Sequence, residues 1–359
     1  MKYMIVTQTF PPRTGGMQNV MDSISKRLSV SNEIHIFPDH YLSKKYSSTN
    51  LNIHIHNNFS PKLFRPFIKK QLVEIVCKSS DVIVCDSWKS LNAVPKRAKK
   101  VFVLAHGQEF LSKDKKFKRM KKLLSRVSCI ICSSYYTANL IDKLKITNTK
   151  KLVIPPTYSL EKFSKKKNKS SEKPKVVSLL TICRLEKRKG ILPVLKCLSN
   201  LNRKKLLKPF QWNICGEGIQ FEEIRENIKT LNLSNQVFLI GKINSNLKQK
   251  FLESSDVFVM PSYKVNNSIE GFGISYVEAA AYKIPSIAGL DGGVTDAVID
   301  SKTGWCVDPM NEENLANVLK EAINNKNLRQ KYGLQAEKNF LKSFLGEKVF
   351  RKFMDAISI

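Results

Sequence analysis

Two carboxylates and two glycines in one short segment carry the strongest chemical signal in this chain. The segment runs Ser268-Ile-Glu-Gly-Phe-Gly-Ile-Ser-Tyr-Val-Glu278, followed at once by Ala279 and Ala280. Glu270 precedes a helix predicted to begin near Ile274, and Glu278 falls one turn inside it. An ionised carboxylate only accepts hydrogen bonds, so it grips adjacent hydroxyls in pairs. Gly271 and Gly273 leave backbone amides open at the helix start, where free N–H groups and the helix dipole favour phosphate. Together these groups would hold a molecule with two sugars and a phosphate between them. A capped amphipathic helix with one surface glutamate would need neither glycine.

Three weaker signals share that logic. Arg184 and Lys189, in Cys183-Arg-Leu-Glu-Lys-Arg-Lys-Gly190, bracket a loop that opens the next helix. A guanidinium fork and an ammonium at a helix N-terminus suit a diphosphate, although a solvated basic loop would read the same way. His106, followed by Gly107, stands at the end of a predicted strand, where a polar group can face a ligand or serve the core. Gly15 and Gly16 follow the first strand and open a helix near Met17. They form either a tight turn or a close backbone approach to an anion.

The elements that must position these residues alternate. Short apolar runs at 3–9, 33–37, 52–56, 81–85, 101–105, 128–132 and 152–154 read as buried parallel strands, with helical patterns between most of them. A second series begins at 176–182 and continues at 211–215, 237–240, 256–260 and 285–288. Between them lie Pro155-Pro156 and the Lys/Ser-rich stretch 162–175, the expected linker. Beyond Asn311 the pattern is helical. The last segment carries an apolar stripe of Phe344, Phe350, Phe353, Met354 and Ile357, which a helix reaching back to the first domain would bury.

Composition bounds the rest. The 359 residues suit two domains, and 42% hydrophobic with 25% charged residues is an ordinary globular balance. No apolar run approaches the roughly 18 residues of a membrane span. The first strand is broken by Gln8 and stopped by Pro11-Pro12, too polar for a secretory leader, so the expected location is cytoplasmic. The formal charge is +31. Residues 1–157 hold 28 basic against 9 acidic side chains, and the remainder 33 against 21. Such a field attracts anionic partners. Of eight cysteines, only Cys129 and Cys132 form a C-x-x-C, inside a strand and with no second ligand pair, so buried reduced thiols are expected.

Gly15-Gly16 after the first strand, His106-Gly107, Arg184-Leu185-x-x-x-Lys189-Gly190 and Glu270-x7-Glu278, in that order over essentially the whole chain, resemble glycosyltransferase family 4. Gly292-Gly293 and Thr303-Gly304 follow as in that family, with Asp296 where a glutamate is usual. The opening Pro11-Pro-Arg-Thr-Gly-Gly16 is similar to the phosphatidylinositol mannosyltransferase branch, whose donors are GDP-mannose and whose acceptors are lipid-linked. The resemblance implies the GT-B fold, an α/β architecture of two facing doubly wound, Rossmann-like parallel-sheet domains with a cleft between them. Residues 1–157 would bind the acceptor, with a C-terminal helix 343–359 packed back on them, and 175–342 would bind the nucleotide-sugar.

Carried over, the resemblance implies that Gly15 and the Gly16 amide meet the donor diphosphate, which Arg184 and Lys189 neutralise as it leaves. Glu270 and the amides of Gly271, Phe272, Gly273 and Ile274 hold hexose and phosphate. Glu278 holds the ribose, and His106 contacts a sugar hydroxyl. Gly216-Glu217 and Lys242-Ile243 flank the nucleoside. Transfer with retention needs leaving-group stabilisation above all. The chain has no Asp-x-Asp, so the expectation is a metal-independent, cofactor-free enzyme in which the acceptor attacks from the leaving-group side. Glu270→Gln and Lys189→Ala are expected to abolish transfer with the fold intact.

The segment 96–126 holds twelve basic side chains against Glu109 and Asp114. Within 113–127, Phe117, Met120, Leu124 and Val127 form an apolar stripe. This reads as contact with an anionic inner leaflet, where a lipid-linked or oligosaccharide acceptor would be met, or as a surface helix packed on its own domain. Three alternatives stand beside a mannosyltransferase: a UDP-sugar-dependent hexosyltransferase of lipopolysaccharide or capsule synthesis, a nucleotide-sugar epimerase, and a basic nucleic-acid-binding protein. The last lacks any nucleic-acid-binding motif, and no nucleic-acid partner is expected.

Overall fold

A computed structural model describes residues 1–13, 15–41, 52–111, 116–146, 149–160 and 176–358. The expected linker 162–175, Thr14, Lys113 and Lys115 lie outside the described residues. The chain divides into two compact units, Met1–Leu160 with Gly346–Ile359, and Glu161–Leu345.

The first unit is a parallel sheet of seven strands in the order β3-β2-β1-β4-β5-β6-β7. The strands are β1 Lys2–Val6, β2 Glu33–Phe37, β3 Ile53–Ile55, β4 Val82–Cys85, β5 Lys100–Ala105, β6 Cys129–Cys132 and β7 Lys150–Val153. The second is a six-stranded parallel sheet in the order β10-β9-β8-β11-β12-β13. Its strands are β8 Val177–Ile182, β9 Phe210–Cys215, β10 Val237–Gly241, β11 Val257–Met260, β12 Ser286–Ala288 and β13 Gly304–Cys306. Central strands such as Val82–Cys85 and Val257–Met260 are buried throughout, as strands covered on both faces must be. In each sheet the strand order reverses beside the first strand, at β1/β4 and at β8/β11. Ligands of open α/β sheets bind outside the strand C-termini at such points.

Three details depart from the sequence reading. The strand expected at 3–9 ends at Val6, because the Thr7 side chain turns to the Asp86 carboxylate (2.9 Å). β13, Gly304–Cys306, was not among the strands read from the sequence. The terminal helix begins at Gly346 rather than 343. Phe344 stays with the second unit, its ring edge-on to Phe272 at 5.7 Å.

From that stripe Phe353 and Ile357 are buried in the first unit, with Val349 beside them, while Phe350 and Met354 are half-buried. The Phe353 ring meets Tyr158 edge-on at 5.5 Å. The helix entry is tied by the Gly346 amide, which donates to the Leu160 carbonyl (2.6 Å). All eight cysteines are free thiols. Burial pushes Cys129 up to about 11 and Cys132 up to about 12, so neither offers a thiolate near neutral pH.

The expected apolar stripe of the basic segment also finds its place. Met120, Leu124 and Val127 are buried in the core of the first unit, and Phe117 packs against it. The apolar face of the Lys116–Leu124 helix is therefore not available to lipid. Lys118, Arg119, Lys121 and Lys122 remain exposed.

Phe353→Ala should destabilise the protein by about 3–5 kcal/mol, the usual cost of emptying a buried phenylalanine site. Urea denaturation checks this. A change below about 1 kcal/mol would mean that the helix is only loosely docked.

Candidate functional site

In the second unit, the segments that leave β8 and β11 meet at a single carboxylate. β8 ends at Ile182, and the chain passes through Cys183-Arg-Leu-Glu186 into a short 3-10 turn, Lys187–Lys189. β11 ends at Met260 and leads to the segment carrying Glu270. Glu270 Oε2 accepts from Arg188 Nη1 at 2.8 Å and also from Lys189 Nζ. All three side chains are largely buried. Burial alone would raise the Glu270 pKa, but the two cations outweigh it and hold the carboxyl at about 2. Arg188 is itself held by Glu186, through Nε to Oε2 at 3.0 Å.

Sequence reasoning named Arg184 and Lys189 for a diphosphate and did not single out Arg188. In Lys187-Arg-Lys189 nothing distinguishes one cation from the next, and only the 3-10 turn decides which points inward. Arg184 instead stands 72% exposed and pairs with Glu186 Oε1 at 3.0 Å. It thus lies beside the clamp with its guanidinium open to solvent.

Behind Glu270 the loop forms the expected helix entry. Gly273 caps the helix Ile274–Ala281 with a left-handed φ of 88°, which a side chain would strain. No side chain caps this end. Ser275 Oγ donates to the Ile182 carbonyl (3.1 Å), holding the helix start against the end of β8. The Phe272 side chain is buried against Phe344, so at this position only the backbone can serve a ligand. The Gly293 amide donates to the Glu270 carbonyl (2.9 Å), which ties the Gly292-Gly293 turn to the carboxylate loop.

Glu278, inside that helix, accepts from Lys248 Nζ at 2.6 Å through Oε1. Lys248 was not anticipated. It sits on the helix Ser245–Ser254, which directly follows Lys242 and Ile243. Gly216 leaves β9 with φ 142°, and a Cβ there would lie 1.8 Å from the Cys183 carbonyl oxygen. Its amide donates to the Gly241 carbonyl (2.8 Å), bringing the segments of Glu217 and Lys242 side by side. Glu217 and Lys242 are exposed and Ile243 is half-buried.

The first unit gathers a second group at its own reversal point. Asp86, buried beyond the end of β4, accepts from Thr7 Oγ1 and, at 2.7 Å, from the Gln8 amide through Oδ2. Its Oδ1 accepts from Ser90 Oγ at 2.6 Å. This carboxylate, also missed by the sequence reading, pins the tips of β1 and β4 together. Its backbone carbonyl lies 3.0 Å from His106 Nε2. A carbonyl only accepts, so Nε2 carries a proton, and the neutral ring presents Nδ1 as an acceptor. The His106 amide is held by Glu109 (2.8 Å). Gly15 and Gly16 open the helix Gly16–Leu28, which likewise has no side-chain cap.

The clamp changes one expectation. Glu270→Gln would leave Lys189 buried without its carboxylate and Arg188 with Glu186 alone, which costs on the order of 3–5 kcal/mol. The fold should not survive that change undisturbed. Because the folded pKa lies below the ordinary 4.5, the stability supplied by Glu270 is complete above about pH 4.5 and is lost as pH falls toward about 2. The gap in urea midpoint between wild type and Glu270→Gln should be wide and constant from about pH 6 to 8 and narrow below about pH 4.5. A gap unchanged at about pH 3 would refute the clamp.

Residues 161–339 match the family model of glycosyl transferases group 1. A 2-deoxystreptamine N-acetyl-D-glucosaminyltransferase of Niallia circulans is 28% identical over 148 residues, 41% of this chain and 37% of that protein. That alignment thus spans little more than a third of the relative's length. A GDP-mannose-dependent alpha-(1-6)-phosphatidylinositol monomannoside mannosyltransferase of Mycolicibacterium smegmatis is 22% identical over 329 residues, 85% of each chain. Among solved structures, Anabaena Alr3699/HepE in complex with UDP and glucose superposes with a TM-score of 0.79 at 18% identity, covering 100% of this chain and 99% of that one. That likeness gives the fold, the two parallel-sheet α/β domains of GT-B. Through residues 161–339 the chain belongs to the family of glycosyl transferases group 1.

Proposed function

We propose that the protein is a retaining hexosyltransferase that takes its sugar from a nucleoside-diphosphate donor bound to the second unit. The observation that carries this reading is the Glu270 clamp beside an uncapped helix start at the β8/β11 reversal. Amides of Gly271 to Ile274 would receive a phosphate, Glu270 the hexose hydroxyls, and Glu278 the ribose. Lys189 has three N–H donors and gives one to Glu270, so others remain for a diphosphate. With Arg184 and the helix dipole it would stabilise the charge that builds on the leaving group. On this reading the transfer needs no metal, and the acceptor hydroxyl loses its proton to the departing phosphate. His106 Nδ1 would accept from a sugar hydroxyl.

GDP-mannose is the first reading for the donor, motivated by the mannosyltransferase that aligns over 85% of the chain. A UDP-sugar is the second, because the Anabaena structure that covers the whole chain holds UDP and glucose. For the acceptor we propose a lipid-linked or cell-envelope glycan, met on the cytoplasmic face. Since the stripe of the Lys116–Leu124 helix is buried, any membrane contact there would rest on its exposed lysines and arginine. The +31 charge then serves anionic donors and acceptors rather than nucleic acid.

A thermal-shift panel of GDP, UDP, ADP and their sugar conjugates, run with EDTA, tests the donor site. One nucleotide family should raise the melting temperature, and no shift from any of them would remove the reading. Arg184→Ala should lower kcat about 10²-fold or more with the melting temperature unchanged, since its guanidinium is exposed. Undiminished turnover would exclude it from leaving-group stabilisation.

A further inference from the structure

Three of the chain's five histidines meet at one edge of the first sheet. β2 carries Glu33 and His35, and β3 carries His54, with His56 just beyond its end. Parallel pairing sets His35 directly beside His54. Residues 33 and 35 share a face of β2 because strand side chains alternate, as do 54 and 56 on the neighbouring chain segment. The Glu33 carboxylate oxygen Oε1 lies 2.8 Å from His35 Nε2 and 3.6 Å from His54 Nε2. One ligand atom from each of Glu33, His35 and His54 falls within 4.8 Å of the other two. Glu33 opens β2 while His35 and His54 stand mid-strand, whereas His106 and the helix start at Gly16 follow strand C-termini.

We propose that Glu33, His35 and His54 form a binding site for a single divalent transition-metal ion of the zinc class, distinct from the transfer site. The donor set is two imidazoles and a carboxylate, borderline and hard ligands that suit this class, with water completing the shell. Ligand atoms around a tetrahedral ion with bonds of about 2.0–2.1 Å stand about 3.3 Å apart. The 2.8 and 3.6 Å separations bracket that value. His54 is 49% exposed and Glu33 53% exposed, so both can swing to close on an ion.

His56 supplies what such a site needs behind it. Its Nε2 lies 2.8 Å from His35 Nδ1. With His35 Nε2 on the metal, Nδ1 must carry the ring proton, and His56 Nε2 is placed to accept it. Ligating histidines are oriented in just this way by an acceptor on their other nitrogen. His56 is fixed in turn by stacking on Phe37, with centroids 4.4 Å apart and planes within 5°. The ion would bridge β2 to β3 and so secure the edge strand.

The test uses untagged full-length protein freed of metal with EDTA. Zinc chloride is titrated by calorimetry, and cobalt chloride is followed by absorption. Wild type should bind one equivalent, gain thermal stability, and show cobalt d–d bands without thiolate charge transfer. His54→Gln and Glu33→Gln, both at exposed positions, should each lose affinity about 10-fold or more. His56→Gln should keep one-to-one binding but weaken it by about 10–100-fold, as loss of an orienting partner does. Absence of stoichiometric binding by folded wild type would overturn the proposal. So would affinity unchanged in His54→Gln and Glu33→Gln, or cobalt spectra dominated by thiolate. Circular dichroism and the melting temperature of each metal-free variant against metal-free wild type serve as the check that it is folded.

Discussion

The second unit is organised around one buried carboxylate facing two buried cations. Taking a glutamate, an arginine and a lysine out of water is costly, and the mutual attraction repays it only when geometry is good and remaining donors are used. Here Arg188 has a second acceptor in Glu186, which itself reaches back to Arg184. The clamp therefore links three things that must stay in register: the loop after β8, the loop after β11 and the helix start at Ile274. The Glu270 carbonyl extends the same link to Gly293. Hydrophobic packing builds the sheet, but it does not specify how loops beyond the strand ends should lie. Charge complementarity does, because a mispositioned loop would leave a buried ion unpaired.

Much of this was legible in the amino-acid order. Apolar runs bounded by turns located the strands, and their alternation with helices required parallel sheets. Glu270 and Glu278 stood out because glycines beside a carboxylate have no reason to exist in an ordinary amphipathic helix, and Lys189 because it flanks a loop that opens a helix. What was not legible was tertiary. Arg188 could not be told from Lys187 or Arg184, because a 3-10 turn advances about three residues per turn and its phase is invisible in a basic run. Lys248 and Asp86 reach their partners through folding alone, 30 positions from Glu278 and 79 from Thr7.

The basic helix of the first unit shows how an amphipathic pattern can mislead. A stripe of Phe117, Met120, Leu124 and Val127 beneath a dense set of cations fits a membrane surface and a domain surface equally well. Burial in the core decides the use of the apolar face. The cations remain on the outer face, where their effect is long-ranged attraction rather than insertion.

The two site carboxylates share a design that bears on why a strongly cationic protein keeps them. Among the described residues, the cations on Glu270 converge on Oε2, and Lys248 meets Glu278 at Oε1. In each, a protein cation holds one oxygen, while the geometry of a carboxylate leaves the second oxygen for another donor. A hydroxyl that donates there meets an acceptor whose position and charge are already set. Such preorganisation lowers the cost of binding, because the carboxylate need not search for its orientation when the ligand arrives. The same cations supply the positive potential that a phosphate would meet. On the proposed reading, these ion pairs would prepare acceptors for hydroxyls and a field for a diphosphate, and neither could be removed without altering the other.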